Sequence, residues 1–128
     1  MIIKSPIDLD LTINAGQTSQ PPWKREGDSF SNVVMIDGEP VIFSVSQSGD
    51  YIDFNSDDER AVSKLKYIFD LDYDLEKFYS YLNDHEELRD MSKFCNGLRL
   101  FLAPDPFECI ISSICSANNS IKRWTKYD

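Results

Sequence analysis

An Asp-Gly pair lies between two runs of strand-forming residues, and it constrains this chain more than any other feature. Asp37-Gly38 separates Phe30–Ile36 from Val41–Ser46. Both residues tolerate the positive φ that a two-residue hairpin loop demands, so two antiparallel strands are expected to meet there. Pro40 has no N–H to give to a ladder, and it stands at the start of the returning strand, where none is needed. Ser48-Gly49-Asp50 then turns the chain into Tyr51–Phe54. Upstream, Ile7, Leu9, Leu11 and Ile13 alternate with Asp8, Asp10 and Thr12, which predicts a half-buried strand. Asn14–Pro22 is rich in Gly, Ser, Gln and Pro and reads as a loop. Leu98–Leu102 alternates weakly. The expectation is an antiparallel sheet of four or five strands drawn from residues 6–55 and 98–102.

Helical spacing takes over at Ser56. Ser56-Asp57-Asp58-Glu59 has the form of a capping box, ahead of Val62, Leu65, Ile68 and Phe69 in a helix over 57–69. Leu75, Phe78, Tyr79 and Leu82 mark a second helix over 75–82. Asp84-His85-Glu86-Glu87 resembles another cap, followed by Leu88, Met91 and Phe94 in a helix over 85–95 that Gly97 ends. Asp105-Pro106-Phe107-Glu108 supplies an N-cap, a proline at the first helical position and a capping glutamate. Ile110, Ile111 and Ile114 would continue that helix, over 106–117, with their side chains inward. Ala117-Asn118-Asn119-Ser120 interrupts it, and Ile121–Tyr127 begins another. Strands followed by helices give an α+β class. The sequence stops inside its last periodic pattern with no C-terminal cap, so a piece of a longer protein or a separately encoded half is expected.

Composition excludes several chemistries. A lone histidine, His85, leaves little for a zinc site or a histidine-based triad. Asp57, Asp58 and Glu59 are spaced like metal ligands, but acids are favoured at a helix start in any case. Cys95, Cys109 and Cys115 form no C-x-x-C pair, and Cys109 and Cys115 read as small buried hydrophobes. No cofactor or metal is expected. No apolar run nears the ~20 residues that cross a bilayer, and Met1–Pro6 has no signal-peptide character, so a cytoplasmic protein without a membrane partner is expected. The net charge of -9 argues at first against a nucleic-acid binder. The charge is local, however: residues 50–90 hold 13 acids against 5 bases. A solvated helical face explains such a cluster, while Lys122, Arg123 and Lys126 make the tail the better candidate for DNA.

Three segments resemble the 8-oxoguanine DNA glycosylase/lyase family, within the helix-hairpin-helix glycosylases. Residues 97–123, from Gly97-Leu-Arg-Leu through Asp105-Pro-Phe-Glu-Cys109 to Ile114-Cys-Ser-Ala-Asn-Asn-Ser-Ile-Lys-Arg123, follow its pattern G-[IV]-R-L, D-P-[FI]-E-C, I-C-S-x-N-N-x-I-x-R. Leu65-Lys-Tyr-Ile-Phe-Asp-Leu-Asp72 is similar to L-R-x-x-F-x-L-D. Gly16-Gln17-Thr18 is similar to the start of G-Q-[ST]-F-R-W, but here Ser19-Gln20-Pro21-Pro22 precedes Trp23. The loop is longer and the usual Phe-Arg is missing, which bears on substrate choice. The resemblance implies a twisted antiparallel, TATA-binding-protein-like sheet domain with flanking helices over 1–103. It implies the start of a helical catalytic domain over 104–128. The family's catalytic lysine and aspartate belong to a region that residues 1–128 do not match, so no catalytic residue is expected here.

The resemblance also implies roles. Such enzymes swing a damaged nucleotide out of duplex DNA, so the gap must be filled and the widowed cytosine held. Asn118 and its neighbour Asn119 would fill the gap, and the Arg123 fork would donate to the cytosine. From the residues alone, Asn118-Asn119 reads first as a helix break with a cap. Gly16, with Gln17, would line the damaged-base pocket, the glycine carbonyl accepting from a proton that normal guanine lacks. From the residues alone, Gly16 is a glycine ending a strand. Trp23 is expected to anchor the long loop, and Phe78, Tyr79 and Tyr81 to be core or helix surface. The implied function is removal of 8-oxoguanine from double-stranded DNA together with a catalytic domain. The rivals are an alkylated-base glycosylase of the 3-methyladenine type and a non-catalytic module that binds DNA or protein.

Overall fold

The computed structural model describes residues 1–17 and 23–117. Five antiparallel strands form one sheet in the order β1-β5-β4-β3-β2: β1 (Ile2–Lys4), β2 (Lys24–Glu26), β3 (Ser29–Ile36), β4 (Glu39–Ser48) and β5 (Tyr51–Ser56). Three two-residue loops join β2 through β5. Ile36 pairs with Glu39 across Asp37-Gly38, where φ is 52° and 82°. Ser48 pairs with Tyr51, and Glu26 with Ser29 across Gly27-Asp28. The last of these hairpins, and β1, were not anticipated.

Period-2 alternation puts Phe30 and Val34, Phe43 and Val45, and Ile52 and Phe54 on one buried face. Against it lies α2 (Glu59–Ile68), which contributes Ala61, Leu65 and Ile68, followed by Phe69. Trp23 packs on Phe43, Phe69 and Phe101 with ring centroids 5.6–5.8 Å apart, the anchoring expected of it. The opposite sheet face leaves Ile2, Val33, Met35, Ile42 and Tyr51 exposed. A smaller cluster joins Leu75, Tyr79 and Leu82 of α3 (Leu75–Asp84) to Leu88. Phe78 and Tyr81 face solvent.

Several expectations need correction. Residues 7–13 do not form a strand: Leu9–Asn14 is a helix, α1, capped by the Asp8 carboxylate, which accepts from Leu11 N–H at 2.9 Å. Leu9, Thr12 and Ile13 are its buried face, so the period was helical, with Thr12 inside and Leu11 outside. The cap of α2 is Asp58, whose carboxylate accepts from Arg60 N–H, while the Ser56 hydroxyl donates to Ile42 O. The helix over 85–95 reduces to a 3-10 turn, Glu86–Leu88, and one α-turn, α4 (Met91–Phe94). Extended backbone at His85 separates it from α3, and no side chain caps either Glu86–Leu88 or α4. The isoleucines of α5 (Pro106–Ser116) do not point inward: Ile110, Ile111 and Ile114 are exposed, as are Phe107 and Cys115, and Cys109 is only half-buried. The α5 cap itself is as expected, with Asp105 accepting from Phe107 N–H at 2.7 Å and Glu108 N–H at 3.0 Å.

Candidate functional site

Leu98–Leu102 takes no place in the sheet. Its backbone is instead held by side chains and scattered carbonyls, and the candidate residues Gly16 and Gln17 belong to that joint. Gly97 N–H donates to the Tyr79 hydroxyl at 2.6 Å, and that hydroxyl donates to Cys95 O at 3.1 Å. Gly97 O accepts from Asp8 N–H at 2.8 Å and from the Thr12 hydroxyl at 3.2 Å. The same hydroxyl accepts from Arg99 N–H. Gln17 closes the joint: its Nε2 donates to Arg99 O at 2.8 Å and Thr12 O at 3.3 Å, and its Oε1 accepts from Phe101 N–H at 2.8 Å. Leu102 N–H donates to Ile68 O. These bonds matter because a buried backbone group without a partner costs ~1–3 kcal/mol.

Gly97 is where the two segments touch. Its φ is +82°, and a Cβ there would fall 2.8 Å from the Asp8 Cβ and 2.9 Å from the Ile7 carbonyl carbon. Only glycine fits. Gly16 also has positive φ, 70°, one residue before the Gln17 clamp. The joint therefore fixes the backbone at Gly16 relative to Gly97–Phe101, and through Ala103–Asp105 it leads into α5. At the far end of α5, Ala117 turns to extended backbone, φ -62° and ψ 123°, its N–H still bonded to Ser113 O and Ile114 O. The interruption expected at Ala117 thus begins there. Asn118, Asn119 and Arg123 lie outside the described residues.

Arg99, quoted within a motif but given no role from sequence, is the most constrained charge. It is 3% exposed, and its Nη1 donates to Asp70 O at 2.6 Å and Tyr73 O at 3.3 Å. Burial holds it below the ordinary arginine value, against the opposing pull of Asp70 and Tyr79. The signal that could have found this joint is two polar residues flanked by apolar ones, Thr12 between Leu11 and Ile13 and Arg99 between Leu98 and Leu100. Elsewhere charges sit at the surface: Arg25 pairs with Asp10, and Arg60 with Asp58 and Asp37. Asp57, Asp58 and Glu59 gather no metal-like cluster among the described residues. No described helix is long and apolar enough to cross a membrane.

The 8-oxoguanine DNA glycosylase N-terminal domain family matches residues 1–110, and the chain belongs to it. A probable N-glycosylase/DNA lyase of Methanothermobacter thermautotrophicus is 44% identical over 125 residues, covering 93% of this chain and 39% of that protein. The chain thus spans about two fifths of that relative's length. Solved structures share the fold. The apo-form of Clostridium acetobutylicum 8-oxoguanine glycosylase/lyase has a TM-score of 0.77 at 22% identity, over 96% of this chain and 42% of that one. Its complex with dsDNA containing cytosine opposite 8-oxoG gives 0.75 at 22% identity, over 92% and 39%. The 3-methyladenine DNA-glycosylase of Archaeoglobus fulgidus gives 0.77 at 19% identity, over 97% and 46%. The five-stranded antiparallel sheet with helices is the α+β fold of such N-terminal domains.

Proposed function

We propose that this chain is the amino-terminal, DNA-facing part of a cytoplasmic base-excision glycosylase and lyase that removes 8-oxoguanine from double-stranded DNA. A catalytic partner domain would supply the lysine nucleophile and aspartate. The supporting observation is the joint between Gly16-Gln17 and Gly97–Phe101. It ties a glycine of positive φ, the candidate pocket wall, to the segment leading into the helix before Asn118. Gly16 then offers its carbonyl to the oxidised base, with Gln17 spending its amide on holding that backbone. Asn118 and Asn119 occupy the vacated stack, and Arg123 donates to the orphaned cytosine. The uncovered apolar face of α5 (Phe107, Ile110, Ile111, Ile114) is where the catalytic domain packs.

The Archaeoglobus likeness supports a second reading, a 3-methyladenine-type enzyme, because the fold is equally close to it. Excision assays on 8-oxoguanine and 3-methyladenine duplexes separate the two. In a protein joining this chain to its catalytic domain, Asn118→Ala and Arg123→Ala are expected to melt like the parent. They should bind lesion duplex less well and lose ~1–3 kcal/mol of preference for cytosine opposite. A cap at Asn118 would instead cost ~1 kcal/mol of stability with preference unchanged. Residues 1–128 alone should neither excise the base nor form borohydride-trapped adducts, and reproducible trapping would overturn the assignment of the chemistry to the partner domain.

A further inference from the structure

In the proposed reaction one atom, the Gly16 carbonyl oxygen, meets the proton that marks the oxidised base. Glycine is the residue least able to hold its own carbonyl still, because its torsions are the freest of any. Gly16 stands at φ 70°, one residue beyond the Ala15 cap of α1. Its carbonyl lies in the rigid peptide plane shared with Gln17, so fixing both ends of that plane fixes the oxygen. Side chains fix both ends. On the near side α1 is bolted to the joint by the wholly buried Thr12, whose hydroxyl donates to Gly97 O and accepts from Arg99 N–H, each at 3.2 Å. Gln47 adds a second hold, its Oε1 accepting from Leu9 N–H at 2.7 Å. On the far side the Gln17 amide is fully engaged: Nε2 donates to Arg99 O and Thr12 O, and Oε1 accepts from Phe101 N–H. No N–H of that amide is left for a base edge.

We propose that Thr12 and Gln17 are positioning residues for lesion recognition: they make no bond to the base and set the preference for 8-oxoguanine over guanine by holding the Gly16 carbonyl from both sides. This rests on the assignment of the Gly16 carbonyl to the oxidised base. An acceptor discriminates only when it is fixed where the proton arrives. Guanine presents N7, itself an acceptor, at that point, and a fixed carbonyl repels it. A carbonyl free to swing would bond the lesion less well and would retreat from guanine at little cost. Among the described residues the clamp holds no titrating carboxylate. Arg99 turns its guanidinium onto Asp70 O and Tyr73 O, and the α1 carboxylates are engaged elsewhere, Asp8 on Leu11 N–H and Asp10 on Arg25.

The test uses a protein joining this chain to its catalytic domain. Fluorescence anisotropy gives its preference, the Kd for a guanine duplex divided by that for an 8-oxoguanine duplex, with cytosine opposite in both. In Gln17→Glu at pH 8 a carboxylate faces Arg99 O and Thr12 O, and the preference should fall about five-fold, the worth of one net hydrogen bond. The two carbonyls hold that carboxyl above the ordinary glutamate range, and its protonated form again donates to Arg99 O while accepting from Phe101 N–H. Parental preference should therefore return by pH 5.5, while the parent's own value stays level. Thr12→Val should lose preference at both pH values, and Thr12→Ser, which retains the hydroxyl, should keep it. A merely structural part in folding would weaken both duplexes together and leave their ratio alone. Parental preference in Gln17→Glu at pH 8 or in Thr12→Val, or a loss in Gln17→Glu that persists at pH 5.5, would each overturn the inference. A parent that does not distinguish the two duplexes would instead overturn the assignment of Gly16 itself.

Discussion

Single atoms decide the geometry at Gly97. Positive φ and backbone contact with Ile7 and Asp8 act together there, so even the smallest side chain meets both strain and overlap. Gly97→Ala is expected to destabilise the fold by about 3 kcal/mol, combining a left-handed-backbone penalty with overpacking, measured as a lowered urea midpoint at unchanged slope. Charges at the surface act through pH. Asp58 and Glu26 are held below the usual carboxylate range, by hydrogen bonds from Arg60 and from Lys24 respectively. A carboxylate with a depressed folded value stabilises above its unfolded pKa and loses that contribution as acid protonates it. The urea midpoint should therefore fall between pH 5 and pH 3. The fall should be smaller in Asp58→Asn, which keeps an N-cap acceptor but no longer titrates.

Among the elements, α5 stands apart. Its cap is complete, yet none of its side chains is buried among the described residues, and Phe107, Ile110, Ile111 and Ile114 recur at the i, i+3, i+4, i+7 spacing of a packed seam. Replacing Ile110 and Ile114 by Glu should leave the chain's own stability within ~0.5 kcal/mol per site, as for exposed positions. It should abolish co-elution with a separately expressed catalytic domain in size-exclusion chromatography. Sequence alone gave the helix but not its exposure, because an apolar stripe says that a face will be covered and not by what. Two of the three hairpins were legible, since Asp37-Gly38 and Gly49-Asp50 lie between runs of strand-forming residues; Gly27-Asp28 was not, because the strand before it, Lys24–Glu26, has no apolar residue. Helix α1 was not: its alternation fits both periods, and the deciding signal was Asp8 as a cap, with Thr12 read as a buried residue. The joint was half legible. Its two motifs were visible, but their meeting depends on side-chain bonds across more than 80 residues, which no local pattern encodes.

At the scale of the molecule, one sheet core and a smaller α3 cluster meet through that joint, and the acidic surface of residues 50–90 lies on the elements that build it. The connections differ sharply in reach. Strands β2 to β5 close through two-residue loops, a local event of ~1–10 μs for each hairpin. Gln17 meets Phe101 across 84 residues, so this contact carries a large loop-closure cost before it returns anything. The meander should consequently assemble before the joint closes. Gln17→Ala then removes interactions absent from the folding transition state. In stopped-flow experiments its unfolding arm should rise several-fold while its refolding arm stays on the parent's line. If refolding slows instead, closure of the joint belongs to the nucleus. In the expected case the Gly97–Phe101 segment is the clasp that sets how long the folded chain persists, with little influence on how quickly it forms.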